Sequence, residues 1–416
     1  MIKKIKNTTY NLLRWSEKFF KTDMVYLFKG GLWINTSTII GSLTSLALAI
    51  AYAKLLPKED YGLYKYALSI VGLLSLVAMP GINTAIYRSI SLGAEGSFRE
   101  ALKLKLRWGA LAALAGFLVA GYYFINGNNI LAIGIAVASL FVPFREAVLL
   151  ANVIISGKKK FKDMGIYNSI QQILLALTLI SALFFFKKIV IFLIIYFIAY
   201  FISDFLFYLK VTSKYKLNDK IDPEMKNFSK HMSLLNIIGA ISDQLDKILM
   251  WHFFGAKELA IYSFATIPTT QIKGYLKSIF TLAFPKLAVQ NDEITKKTLP
   301  AKIFKLTLIV AVGIIAYIFL APFFYKLLFP QYLESINYSR LYFLTLLFFP
   351  VTTINQLLIA RAKKRDLYMV QFLTPAVKII SLIALVPIMG IYGAIYAQFI
   401  ATMAGAILLY YFFRKL

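Results

Sequence analysis

Eight basic and four acidic side chains stand inside stretches apolar enough to cross a membrane: Lys65, Arg88, Arg145, Lys247, Lys273, Lys277, Arg340 and Lys378, with Glu146, Asp204, Asp243 and Asp246. Facing lipid at mid-depth, each would cost roughly 2.5–3.5 kcal/mol, on the order of 30–40 kcal/mol together, against a net stability of about 5–15 kcal/mol. Most of them must therefore meet partners, water or a ligand. Lys65, Arg88 and Arg340 lie near the ends of their stretches and can also reach the interface on their long stems. The excess of bases over acids points to a negatively charged ligand held by charge-assisted hydrogen bonds.

Asn236, Asp243 and Lys247 recur at i, i+7 and i+11 and so share one helix face, with Asp246 beside them. Two readings are open: Asp243 and Lys247 form a structural ion pair, or the carboxylates couple transport to an ion. Asp246 has no partner of its own in the local sequence, which makes Asp243, Asp246, Lys247 and Glu146 the candidates for coupling to H+ or Na+. Lys273 and Lys277 form a like-charge i,i+4 pair, which an anion opposite would relieve; the competing reading has both reaching lipid headgroups. Arg145 shares a polar face with Asn152, and Gln171, Gln172 and Lys378 fall at comparable depths. Arg88, Arg145, Lys273, Lys277 and Lys378 are thus the expected contacts of the anion. Asp204, six residues before Lys210, reads as an ordinary interfacial acid.

The elements that must position these residues are set by composition. With 59% hydrophobic and 16% charged residues over 416 positions and a mean hydropathy of +0.70, no soluble globule could hide the apolar surface. Twelve stretches have spanning length, approximately Gly31–Leu56, Gly62–Ser91, Trp108–Ile125, Ile130–Ile155, Ile166–Phe186, Ile189–Leu209, Met232–Phe254, Ala260–Phe284, Ile303–Leu328, Leu341–Ala360, Leu367–Pro387 and Tyr392–Phe413. The expected fold is all-α, a polytopic membrane protein of twelve transmembrane helices.

Lys and Arg total 46 against 19 Asp and Glu, but they cluster in alternate linkers. Met1–Lys29, Arg99–Arg107, Lys158–Lys162, Lys210–Lys230, Lys286–Lys305, Arg361–Arg365 and Arg414–Lys415 are rich, and the linkers between them are poor. The rich side is cytoplasmic by the positive-inside rule, which puts both termini there and locates the chain in the cytoplasmic membrane. Topology and attraction to anionic lipid account for the charge without nucleic acid. Residues 1–29, basic with Trp15, Phe19 and Phe20, read as an interfacial amphipathic segment. With no Cys, disulfides, thiolate metal sites and a Cys nucleophile are excluded.

Leu55-Leu56-Pro57-Lys58-Glu59-Asp60-Tyr61-Gly62-Leu63-Tyr64 aligns with Phe253-Phe254-Gly255-Ala256-Lys257-Glu258-Leu259-Ala260-Ile261-Tyr262, and Pro143 with Lys158–Lys160 corresponds to Pro350 with Lys363–Arg365. A direct duplication of six helices follows. The expected organisation is two parallel six-helix bundles, 30–216 and 217–416, around a central cavity. Pro80-Gly81, Pro143, Pro268, Pro350 and Pro375 interrupt spans and allow kinks. No linker holds a folded soluble domain, no GxxxxGK[ST], HExxH or GxSxG sequence is present, and His231 and His252 are far apart. A cofactor is not expected.

The turn Leu55–Tyr64, Pro80-Gly81 and the repeated basic linkers resemble Wzx-type polysaccharide-biosynthesis flippases of the multidrug/oligosaccharidyl-lipid/polysaccharide exporter superfamily, over the chain from Gly30 onward. The resemblance implies translocation of a polyprenyl-pyrophosphate-linked oligosaccharide by alternating access, coupled to an ion gradient. Its partners would be that glycan, membrane lipids, and the polymerase and glycosyltransferases of the same process. A multidrug or metabolite antiporter of the superfamily is the alternative, although a cavity for organic cations should be acidic. A membrane glycosyltransferase would need a large catalytic loop.

Overall fold

The computed structural model describes residues 24–281, 292–361 and 363–415. Residues 1–23, most of the expected interfacial segment, lie outside the described residues, as do 282–291. Every element among the described residues is helical. Eight helices are long and apolar enough to cross a membrane, or nine when Lys58–Val77 and Gly81–Ser91 count as one bent span. The chain is a multi-pass membrane protein. Its most apolar spans face outward: only 11% of the defining window of Ile294–Leu328 is buried, leaving Phe304, Ile309, Phe319 and Phe323 for lipid.

In chain order the elements are α1 (Met24–Leu55), α2 (Lys58–Val77), α3 (Gly81–Ser91), α4 (Ser97–Ile125), α5 (Asn129–Val148), α6 (Ala151–Gly157), α7 (Phe161–Phe185), α8 (Ile189–Lys214), α9 (Met225–Thr281), α10 (Asp292–Leu328), α11 (Ser335–Phe343), α12 (Thr353–Ala360) and α13 (Lys364–Arg414). Glycines in backbone conformations closed to most side chains break the two longest, Gly255 (φ 80°) in α9 and Gly390 (φ 57°) in α13. These breaks fall at the expected turns between the seventh and eighth spans and between the last two. The second expected span bends by 54° between α2 and α3. Pro80 cannot supply the helical N–H there, and Met79 takes a positive φ of 53°.

The halves of the sequence meet along a seam between α2–α3 and the first part of α9. Added Cβ atoms at three glycines would strike α9: at Gly62, 1.9 Å from the Ala256 carbonyl oxygen; at Gly72, 2.9 Å from the Gln244 side chain; at Gly81, 2.3 Å from the Ser233 nitrogen. Because the obstacle at Gly62 is backbone, it cannot swing aside. Gly62→Ala is expected to lower the thermal midpoint in detergent by several degrees, in line with about 1–3 kcal/mol for overpacking. Gly121→Ala, where an added Cβ meets nothing within 4 Å, should leave the midpoint unchanged or raise it slightly.

At the end carrying Pro57 and Gly255 the halves share one core. Tyr61 stacks tilted on Phe264 at 4.7 Å, Phe264 on Tyr332 at 3.7 Å, and Lys58 Nζ reaches Glu334 at 3.1 Å. At the opposite end, where the basic linkers lie, the apolar clusters separate: Ile82, Ile86, Leu150, Ile154 and Met225 in one, Leu299, Ile354, Leu357 and Phe412 in the other.

The linker between the halves is fastened to the first. Arg88 bridges Asp222 (3.2 Å) and Glu224 (3.1 Å), Ser97 Oγ accepts from the Asp222 N–H, and Glu95 takes Lys158 at 2.5 Å and the Asn218 N–H. Desolvation pushes the Glu95 carboxyl up, but Lys158 and the Asn218 amide outweigh it and hold the group below the ordinary glutamate range. A lowered carboxylate adds stability above its unfolded pKa, so this contact weakens only as pH falls through the lowered value.

Candidate functional site

Two hollows carry charged and amide side chains, one lined by residues between 38 and 204 and the other by residues between 235 and 409. The larger, about 670 Å³, lies in the second half. Asn236 and Asp243 of α9 reach it from the expected polar stripe, and Lys273 enters from beyond the Gly255 break. Phe348 and Phe349 form an aromatic wall, and Asn355, Gln371 and Thr374 supply amide and hydroxyl groups. Asn355 Oδ1 and Thr374 Oγ1 are buried with no hydrogen-bond partner among the described protein atoms, so each has capacity for a ligand group or water.

The charges beside this hollow are only loosely neutralised. Lys378 Nζ is 3.9 Å from Asp243 Oδ1, a long contact, and the Asp243 side chain is 76% exposed while that of Lys378 is 11% exposed. Lys273 lies over the Tyr342 ring at 5.6 Å. Lys277, one turn further, is exposed and does not line the hollow.

The second hollow, about 520 Å³, lies in the first half. Its floor is an ion pair: Arg145 Nε donates to Asp204 Oδ2 at 2.9 Å, while Gln171 Nε2 donates to Asp204 Oδ1 at 2.5 Å. Thr38, Ser42, Ser45, Gln172 and Tyr200 are among the other lining residues, and Tyr200 stacks under the Arg145 guanidinium at 5.1 Å. Gln271 Nε2 donates to Ser45 Oγ at 2.7 Å. That bond ties a wall of the first-half hollow to the helix carrying Lys273, so the hollows flank one junction between the halves.

The family model for "Polysaccharide biosynthesis protein" matches residues 27–289. The chain belongs to the polysaccharide biosynthesis protein family. No curated protein sequence matches it. Among solved structures, this polysaccharide biosynthesis protein is similar to the lipid II flippase MurJ in an inward closed conformation (TM-score 0.68, 14% identity, 92% of this chain and 87% of that one). It is also similar to a multidrug resistance MATE family transporter of the MOP superfamily in an outward-facing conformation (0.64, 14%, 93% and 95%). A third similar structure is a MOP superfamily transporter from Pyrococcus furiosus described as having a binding pocket of reversed polarity (0.62, 14%, 93% and 95%). At such identities the likeness is one of fold.

Three sequence expectations need correction in this polysaccharide biosynthesis protein. Arg88 does not reach either hollow, because Asp222 and Glu224 of the linker hold it. Glu146 is taken by Lys105, whose Nζ lies 2.8 Å from Glu146 Oε2 and whose side chain is 0% exposed; Lys105 had been counted with the linker bases. Asp204 is a buried partner of Arg145, not an interfacial acid, since its side chain is 6% exposed.

Asp246 also has partners that the local sequence does not show. Tyr262, across the Gly255 break, donates its OH to Asp246 Oδ2 at 2.7 Å, the Lys247 N–H donates to Oδ1 at 2.8 Å, and Lys247 Nζ stands 3.8 Å away. Of the two readings left open for Asp243 and Lys247, the side-chain ion pair does not form: Lys247 Nζ donates instead to the Asp243 backbone carbonyl at 2.7 Å.

Proposed function

We propose that the protein is a flippase that moves a polyprenyl-pyrophosphate-linked oligosaccharide across the cytoplasmic membrane by alternating access. The observation that carries this reading is the second-half hollow, where cationic, aromatic and unpartnered polar groups share one cavity. Lys273 on the lining, and Lys378 outside the lining but held against Asp243, answer a pyrophosphate by charge-assisted hydrogen bonds. Asn355, Thr374 and Gln371 offer donors and acceptors for sugar hydroxyls, and the rings of Phe348 and Phe349 suit the apolar C–H faces of pyranoses. Arg145 serves as a further cation in the first-half hollow.

Coupling to H+ or Na+ falls to Asp243 and Asp246. Asp243 is open to water and faces Lys378, so a cation arriving at Asp243 would release Lys378 toward the pyrophosphate. Lys247 and Tyr262 keep Asp246 placed behind it. With the basic linkers on the cytoplasmic side, the shared core of Tyr61, Phe264 and Tyr332 would close the outer end, which supports reading this conformation as the one that loads from the cytoplasm. The glycosyltransferases and polymerase that make and use the glycan are the partners on either side of this step.

The test is transport by the purified protein in liposomes. A fluorescent polyprenyl-pyrophosphate-linked saccharide should change leaflet faster than in empty liposomes, with a rate that rises with an imposed proton or sodium gradient. Movement of organic cations in exchange for protons, with no effect on the lipid-linked saccharide, would replace this reading by the multidrug antiporter.

A further inference from the structure

A crevice of about 410 Å³ runs along the outer face of the first half between α7 and α8. Ile170, Leu174 and Leu175 wall it on one side and Ile202, Leu206 and Phe207 on the other. Ile170, Leu174, Ile202 and Leu206 are each about half exposed to the surrounding lipid. Lys210 closes one end, its Nζ 5.0 Å over the Tyr167 ring. Lys210 is 21 residues from the start of α8, or ~31 Å at 1.5 Å per residue, which puts it at the interface where a lipid phosphate sits. The neighbouring Asp163 is engaged by Lys214 and Tyr215, and no carboxylate among the described residues pairs with Lys210.

Gln171 and Leu175 line this crevice and the first-half hollow alike. One layer of side chains separates lipid from Arg145, and its polar member is the Gln171 that donates to Asp204. Gln171 lies four residues beyond Tyr167 on α7, ~6 Å deeper in the membrane than the Lys210–Tyr167 end of the crevice.

We propose that this crevice is the loading site for the isoprenoid chain of the cargo, with the pyrophosphate first at Lys210 and Tyr167 and Gln171 as the partition it passes on the way to Arg145. A gap between two neighbouring helices admits one chain in single file, which suits a single-tailed isoprenoid over a two-chained phospholipid. The polar member of the shared wall opens toward Arg145, a path that a translocated pyrophosphate uses and the headgroup of a resident phospholipid does not. The proposal rests on the flippase reading and adds the place where the tail is held.

The experiment uses the full-length protein in mixed micelles and native mass spectrometry, with an isoprenoid pyrophosphate and phosphatidylglycerol as probes. Wild type should retain the isoprenoid pyrophosphate. Ser203→Trp, which fills the crevice, should lose at least tenfold in apparent affinity, with Ser203→Ala near wild type and both variants matching wild type in thermal midpoint. Lys210→Gln should weaken the pyrophosphate about tenfold and leave the corresponding isoprenol unaffected. Undiminished binding in a folded Ser203→Trp protein, or equal retention of phosphatidylglycerol at the same crevice, would overturn the loading site while leaving the flippase in place. Failure of wild type to bind any isoprenoid pyrophosphate would instead remove the flippase reading.

Discussion

Replacing Lys273 and Lys378 together by Gln is expected to cut transport of the lipid-linked saccharide at least hundredfold while leaving the amount of folded protein unchanged. Each charge-assisted hydrogen bond to a phosphate contributes about 1.5–3 kcal/mol, and two of them convert to roughly two to four powers of ten. The fold should tolerate the change, because Asp243 has a 76% exposed side chain and keeps its hydration, while the buried Asp246, which also feels Lys378, keeps Tyr262 and Lys247. Replacing both by Arg preserves the charge and should restore a substantial part of the rate. Initial rates in liposomes, measured beside thermal midpoints, decide the matter: wild-type transport by the double Gln protein would take these lysines out of the substrate path.

The second large effect concerns stability. Lys105→Met should destabilise the protein by about 3–5 kcal/mol, because it strips Glu146 of its short ion pair and leaves it only the field of Arg145, which Asp204 already holds. Against a total of about 5–15 kcal/mol, that loss should show as poor yield and a sharply lower midpoint. The double variant Lys105→Met with Glu146→Gln removes both charges and should recover most of the loss. It should also transport normally, since neither Lys105 nor Glu146 lines the hollow that holds Asp243 and Lys273. A stable double variant that no longer responds to an ion gradient would place Glu146 among the coupling residues.

The helical frame was legible in the sequence because apolar length and proline position are local properties. Pro80-Gly81 bends its span, and the turn at Gly255 falls where the alignment with Leu55–Tyr64 places it. The polar stripe was half legible: Asn236 and Asp243 do share a hollow, but Lys247 folds back onto its own helix. The ion pairs were not legible. Arg145 and Asp204 are 59 residues apart, Lys105 and Glu146 41, and neither pairing has a spacing that a single helix would reveal. Lys105 did leave a trace, since it falls in register with Ala101, Gly109, Ala112, Gly116 and Ala120, the small residues that α4 buries. A base on a small-residue stripe points inward, and proximity to Arg99 and Arg107 masked it. Tyr262 was hidden for a different reason: it meets Asp246 only because Gly255 reverses the chain between them.

The seam of glycines at 62, 72 and 81 has a consequence for how the molecule can move. At 62 and 81 the close neighbour is backbone and at 72 it is the Gln244 side chain, so a slide by a helical turn would meet collision where a roll about the common line would not. The two halves then behave like the covers of a book bound along one spine. Opening the fore-edge, where Ser45 and Gln271 hold hands across the gap, requires little rearrangement at the binding, and the linker stitched to the first cover travels with it as a passenger.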